Sequence, residues 1–180
     1  FTATVSSTST PTGSVNFVID GGSPVAGTPG PTTATTATWT YTTSALNVTG
    51  SPHSVSASYV HTGSFQDSSG SLAGGQVIQK ADATFTVTPY DVTYDGLPHT
   101  ATVSAITGVN GETGATVGTV DVSNTTHTDA GTYNTDYWFF TGTANYNDIP
   151  NTTITDQIDK ADATFTVTPY DVTYDGLPHT

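Results

Sequence analysis

Lys80–Thr100 reads KADATFTVTPYDVTYDGLPHT, and Lys160–Thr180 repeats it without one change. The two copies stand 80 residues apart, which marks a tandem array. Within the stretch, Ala83, Phe85 and Val87 alternate with Thr84, Thr86 and Thr88. A period of two is the pattern of a strand with one face turned inward. Pro89 interrupts the run, and Tyr90, Val92 and Tyr94 resume it. Asp95-Gly96, followed by Leu97-Pro98, is a turn signal. The stretch therefore predicts two short strands and a turn, and an all-β chain built around them.

Working outward, the residues before each copy also rhyme: Gln76-Val77-Ile78-Gln79 and Asp156-Gln157-Ile158-Asp159. Each reads as the last strand of one repeat running into the Lys-Ala-Asp junction of the next. A shorter echo joins Thr2-Ala3-Thr4-Val5-Ser6 to Thr100-Ala101-Thr102-Val103-Ser104. The expected organisation is a first domain over 1–79 that lacks its first strand, a complete domain over 80–159, and the opening strands of a further repeat over 160–180. The ends of the sequence read as those of an internal piece of something longer. An isolated pair of strands is marginal in water, so the last stretch is expected to be disordered or to pack against something outside the chain.

Both domains carry the marks of short strands. Phe1, Ala3 and Val5 open the first, and Val15, Phe17 and Ile19 lead into the hairpin signal Asp20-Gly21-Gly22. Trp39 and Tyr41, then Val55, Ala57 and Tyr59, mark further strands, and Val77 is expected to close the domain. In the second, Ala101, Val103 and Ala105 precede a glycine-rich bend from Gly108 to Gly114. Val120 and Val122, the aromatic run Tyr133–Phe140, and Ile154, Asp156 and Ile158 follow. Short strands punctuated by turns predict a sandwich or barrel. Asp129-Ala130-Gly131-Thr132-Tyr133 has the D-x-G-x-Y form of a tyrosine corner, in which the Tyr hydroxyl bonds back to the main chain. These features predict tandem immunoglobulin-like β-sandwiches. With no cysteine to bridge the sheets, Trp138 or Phe139 is expected at the centre of the second core.

Composition narrows the function. Two lysines and no arginine stand against fifteen acidic residues, a formal net charge of −13. Nucleic acid and anionic membrane surfaces need a basic patch, so both are excluded as partners. The absence of cysteine removes disulfides, thiolate metal sites and a cysteine nucleophile, and suits an oxidising exterior. No run of about eighteen apolar residues is present to span a membrane in this segment.

Residues 80–159 resemble the MBG repeat domain of large bacterial surface proteins. The resemblance rests on Lys80-Ala81-Asp82-Ala83-Thr84, Val92-Thr93-Tyr94-Asp95-Gly96, Asp129-Ala130-Gly131-Thr132-Tyr133 and Ala144-Asn145-Tyr146-Asn147. Residues 1–79 resemble the bacterial Ig-like repeat often found beside it. The carriers there are Phe1-Thr2-Ala3-Thr4-Val5, Pro11-Thr12-Gly13-Ser14-Val15-Asn16-Phe17 and His53-Ser54-Val55-Ser56-Ala57-Ser58-Tyr59. The resemblance implies spacers, stalks or adhesive arrays at a bacterial cell surface or in an extracellular fibre.

No catalytic constellation stands out. His53, His61, His99, His127 and His179 have no second histidine at metal spacing and read as loop or strand-edge residues. There is no G-x-S-x-G elbow, and the carboxylates are scattered over turns and junctions. The chain is read as a non-enzyme. Asp156, Asp159 and Asp162 flank the repeat junction, where carboxylates could clamp calcium, although their spacing matches no EF-hand loop. Lys80 is read as a junction lysine paired with acid; an isopeptide crosslink would need it buried. Asn47, Asn124 and Asn151 each open an N-x-T acceptor sequence for glycans, and Pro29–Thr43 has the Thr- and Pro-rich composition of an O-glycosylated segment.

The expected role is mechanical: a repeat module of a filament, stalk or spacer. The alternative is an adhesin module whose aromatic side chains bind carbohydrate or another surface. Its partners are copies of itself head to tail, favoured as covalently continuous, with non-covalent strand addition as the other route.

Overall fold

The computed structural model describes residues 1–180. The chain is almost wholly β, with two one-turn 3-10 helices at Gly114–Thr116 and Ser123–Thr125. By backbone proximity it divides into two units: Phe1–Thr84 with Ala105–Thr119 and Thr141–Asp148, and Phe85–Ser104 with Val120–Phe140 and Ile149–Thr180.

The first unit holds two sheets. In one, β1 (Thr2–Ser6), β5 (Thr36–Thr40) and β4 (Thr28–Thr32) lie in the order β1-β5-β4. In the other, β2 (Gly13–Ile19), β3 (Val25–Ala26), β6 (Val55–His61) and β7 (Ser68–Ser71) lie in the order β3-β2-β6-β7. Alternation does what the sequence demands of it: Val15 and Phe17 of β2, Ala37 and Trp39 of β5, and Tyr59 of β6 meet in one buried cluster. Phe1, Ala3 and Val5 pack against it from the β1 side. At Gly13 φ is +150°, and a Cβ there would strike the Val60 carbonyl oxygen, so glycine is required where β2 enters its pairing with β6.

One expectation for this region fails. Val77 does not close the domain with a strand; it is exposed, and Gln76 makes only an isolated bridge to His53. The last strand is β7, whose Ser-Ser-Gly-Ser sequence is exposed throughout and carries no apolar alternation to betray it. The Thr- and Pro-rich run, in turn, contains β4, with Pro29 opposite Trp39. Proline is tolerated there because β4 is an edge strand and needs no outward N–H.

The second unit contains β8 (Val87–Thr88), β9 (Asp91–Thr93), β10 (Thr102–Val103) and β13 (Ile149–Asp159), with half of β11 (Gly118–Asp121) and most of β12 (Gly131–Gly142). β8 pairs antiparallel with β10, and the larger sheet runs β11-β12-β13-β9 with β9 parallel to β13. Pro89 sits at the change of partner. Ala83, Phe85 and Val87 face inward before it, Tyr90 and Val92 after it, so the inward face moves from odd to even positions. Tyr94, expected to continue that face, is exposed. In β12, period two puts Asp136, Trp138 and Phe140 on one side. Phe140 is the fully buried member, with Phe85 at 5.0 Å from it and 5.6 Å from Trp138. Of the two aromatics expected at the centre, Trp138 packs on Phe85, and Phe139, partly buried, alternates to the other face of the strand.

Lys160–Thr180 forms no strand. Phe165, identical in sequence context to Phe85, is 89% exposed.

Candidate functional site

A cluster of ionisable side chains lies where β12 and β13 pair in the second unit. Their register sets Tyr133 opposite Asp156 and Asp136 opposite Ile154, with an irregularity between. Asp156 is completely buried. Its Oδ1 accepts the Tyr90 N–H at 2.9 Å, while Oδ2 has no partner. Asp136 is also buried, and its Oδ2 lies 2.8 Å from His127 Nε2. The His127 ring stacks on Tyr133, centroids 3.5 Å apart and planes 2° from parallel. The Tyr133 hydroxyl donates to the Asp129 carbonyl at 2.6 Å, closing the D-x-G-x-Y loop on itself. Tyr90 donates its hydroxyl to the Thr125 carbonyl at 3.0 Å. Thr125, fully buried, accepts the Ala101 N–H and donates to the Val122 carbonyl.

The electrostatics follow from burial. Desolvation raises the Asp156 carboxyl above the ordinary aspartate range, and the Asp136 charge beside it pushes the same way. A proton on Asp156 gives the unpartnered oxygen a hydrogen to donate. Burial, then the charges of Asp156 and Asp136, push the Tyr90 hydroxyl up to about 12. Tyr90 is thus held as a neutral donor, tying β9 to β13 and to the 3-10 turn at Ser123–Thr125.

A second network surrounds the buried His53 in the first unit. His53 Nδ1 lies 2.6 Å from Asp20 Oδ2, and Nε2 lies 2.7 Å from the Asn47 carbonyl oxygen. Both neighbours are acceptors, so both ring nitrogens serve as donors and the ring is best satisfied as imidazolium. The Asn47 carbonyl and the Asp20 carboxylate accordingly raise the His53 pKa. Asp20 also accepts the Ser54 N–H at 2.8 Å.

The first unit also presents an open groove of about 450 Å³ between β1 and β7. Phe1, Ala3 and Val5 form one side, Ser68–Leu72 the other, and Val15, Phe17 and Ala57 reach its floor. β1 and β7 each end their sheet, so both border the groove with unpaired edges.

The residues singled out from the sequence are distributed as follows. Asp156 faces the interior. Asp159, three positions on, takes the opposite face, is exposed, and accepts from Gln157 Nε2 at 2.7 Å. Asp162 is exposed on the extended segment. The three do not converge, and no three His, Asp or Glu side chains are grouped to hold a metal ion. Asn47, Asn124 and Asn151 are all exposed. Lys80 is exposed and forms no ion pair; every ion pair joins a histidine to an aspartate. Its exposure removes the burial that an isopeptide nucleophile needs, and the absence of an ion pair corrects the expected acid pairing. Sequence reasoning misses the aspartate partners of the histidines. Asp95-His99 and Asp175-His179 are visible as i, i+4 pairs in D-G-L-P-H, whereas Asp20 and His53 are brought together only by the fold.

No protein family model, curated protein or solved structure matches the chain.

Proposed function

We propose that the chain is a structural repeat module of a long extracellular or cell-surface bacterial protein, built of tandem immunoglobulin-like sandwiches and working as fibre, stalk or spacer. The carrying observation is the repeated 21-residue stretch: one copy supplies strands β8 and β9, and the other lies extended with its apolar side chains in solvent. A segment used once as a strand and offered once unpaired suits a head-to-tail array in which each repeat contacts its neighbours. The resemblance of 80–159 to the MBG repeat, and of 1–79 to the bacterial Ig-like repeat, supports the same reading. So do the two units' sheets, the cluster shared by both sheets of the first, and the Tyr133 corner. Trp39 is buried and Trp138 packs on Phe85, which favours a spacer over an adhesin with exposed sugar-stacking aromatics. Under this reading 160–180 is the opening of a further repeat, and the exposed Asn47, Asn124 and Asn151 are places for glycans on an outer surface.

Electron imaging of the native material tests the proposal. A thread of regular β-beads with density running from one copy into the next is the expected result. Discrete particles with exposed aromatic grooves would overturn it in favour of adhesion.

A further inference from the structure

We infer that the groove between β1 and β7 receives residues 160–180 of a second copy of this chain as an added strand, with Val167 opposite Val5 and Thr168 opposite Thr4. The inference deepens the fibre reading and rests on it, since it supplies the contact between successive copies.

The identical stretch at 80–100 already makes this kind of pairing. Val87 and Thr88 lie antiparallel to Val103 and Thr102. After Pro89, Asp91, Val92 and Thr93 lie parallel to Gln157, Ile158 and Asp159 of β13. One segment thus takes an edge from each of two sheets and closes the side between them. β10, its first partner, lies within Thr100–Ser104, the pentapeptide TATVS. β1 is the same pentapeptide, Thr2–Ser6. β1 pairs with β5 on one side, and its other edge is unpaired. The groove beside that edge is bounded across from β1 by β7, the last strand of the second sheet, as β13 bounds the site of β9.

Chemistry agrees with topology. Phe165, Val167, Tyr170 and Val172 are exposed, although each repeats a residue that faces inward in the paired copy. Val15, Phe17 and Ala57 give the groove an apolar floor between walls that also carry serines and threonines, and no charged side chain lines it. Ala163–Tyr170 is uncharged as well. In a chain of net charge −13, these two surfaces can meet without carboxylate repulsion. Main-chain hydrogen bonds along β1 would supply affinity, and the alternating side chains the register.

The absence of cysteine makes the test clean. A Thr4→Cys chain is mixed with a Thr168→Cys chain, oxidised mildly, and the disulfides are mapped by peptide mass spectrometry. Thr4 and Thr168 are both exposed, and directly opposed strand residues come within disulfide reach. The expected product is a 4–168 link between chains, exceeding the 4–4 and 168–168 links. It should be lost when Phe165→Asp and Val167→Asp, changes at exposed positions, are added to the Thr168→Cys chain. A statistical mixture of the three links, indifferent to those aspartates, would overturn the inference. So would a double Thr4→Cys/Thr168→Cys chain that closes on itself as a disulfide-linked monomer. A fibre seen by imaging without the 4–168 link defeats strand addition alone and leaves covalent continuity to carry the fibre. The link without a fibre defeats the fibre reading alone.

Discussion

Lys80–Thr100 and Lys160–Thr180 have one sequence and two conformations. What they share is local. In each, the aspartate of D-G-L-P-H accepts the N–H two residues on, Asp95 from Leu97 at 2.8 Å and Asp175 from Leu177 at 2.9 Å. In each, the histidine lies 3.0 Å from that aspartate and tilts over a tyrosine, Tyr90 at 5.7 Å and Tyr170 at 5.4 Å. Gly96 and Gly176 both take a left-handed φ, 80° and 74°. What differs is everything that needs a distant partner: β8 and β9 exist only in the first copy. The turn is therefore specified by its own neighbouring residues, and the strands by what stands beside them. Alternation of Val, Phe and Thr permits a strand, but cross-strand pairing and burial make one.

The largest break in the comparison should come from the phenylalanines. Phe85→Ala removes a ring packed against both Trp138 and Phe140 and should cost about 3 kcal/mol of stability. Phe165→Ala, in a dilute chain that has met no second copy, should stay within about 0.5 kcal/mol of the parent. Urea unfolding of the two variants measures both. Equal losses would mean that the second copy is packed as firmly as the first.

Asp156 sharpens the comparison next, because it holds the Tyr90 N–H of the first copy and nothing in the second. Its carboxyl titrates above the ordinary aspartate range in the folded chain because it is buried. The folded state thus binds the proton more tightly than the unfolded one. This contribution to stability is complete below the unfolded pKa, near 3.8, and is lost as pH rises through the raised folded value. At neutral pH the group is a liability. Asp156→Asn keeps an oxygen for Tyr90 and supplies permanent N–H donors toward Asp136, so it should stabilise the chain by about 1–3 kcal/mol at pH 7. The gain should shrink as pH falls. Thermal unfolding between pH 3 and pH 7 decides; a loss at pH 7 would show that the charged carboxylate is preferred.

The same division between local and distant explains what the sequence reveals. The all-β class, the pairing of inward Phe85 with inward Val87, and the D-x-G-x-Y loop of Asp129–Tyr133 are legible because each is written in adjacent residues. β7 is not, since Ser68–Ser71 has no apolar face, and β4 is hidden by Pro29 and Pro31. In Tyr137–Phe140 four aromatics in a row erase the alternation, so only packing could choose Phe140 over Phe139 as the buried ring. The Asp136–Asp156 cluster is invisible for a related reason. Proximity along the chain groups Asp156 with Asp159 and Asp162, but strand alternation sends Asp156 and Asp159 to opposite faces. The groove between β1 and β7 is a property of two sheet edges and has no sequence signature except the repeated TATVS.

The smallest effect tests the part of the comparison that should not break. Asp95→Ala and Asp175→Ala each remove the same carboxylate from the same turn. Backbone chemical shifts at Gly96 and Gly176 should move alike in the two variants, since the carboxylate's hydrogen-bond partners are local in both copies. Only Asp95→Ala should also lower global stability, and by less than Phe85→Ala, because only its turn is joined to paired strands. The Leu97 N–H first, and His99 next, hold the Asp95 carboxyl below its usual range. Its share of stability is therefore present above the unfolded pKa and is lost as pH falls through the lower folded value. Acidification should then erase the difference between Asp95→Ala and the parent. If instead the Gly176 shifts stay fixed on replacing Asp175 while those of Gly96 move, the turn is imposed by the surrounding sheet, and the identity of the two copies in sequence counts for less than their likeness in structure suggests.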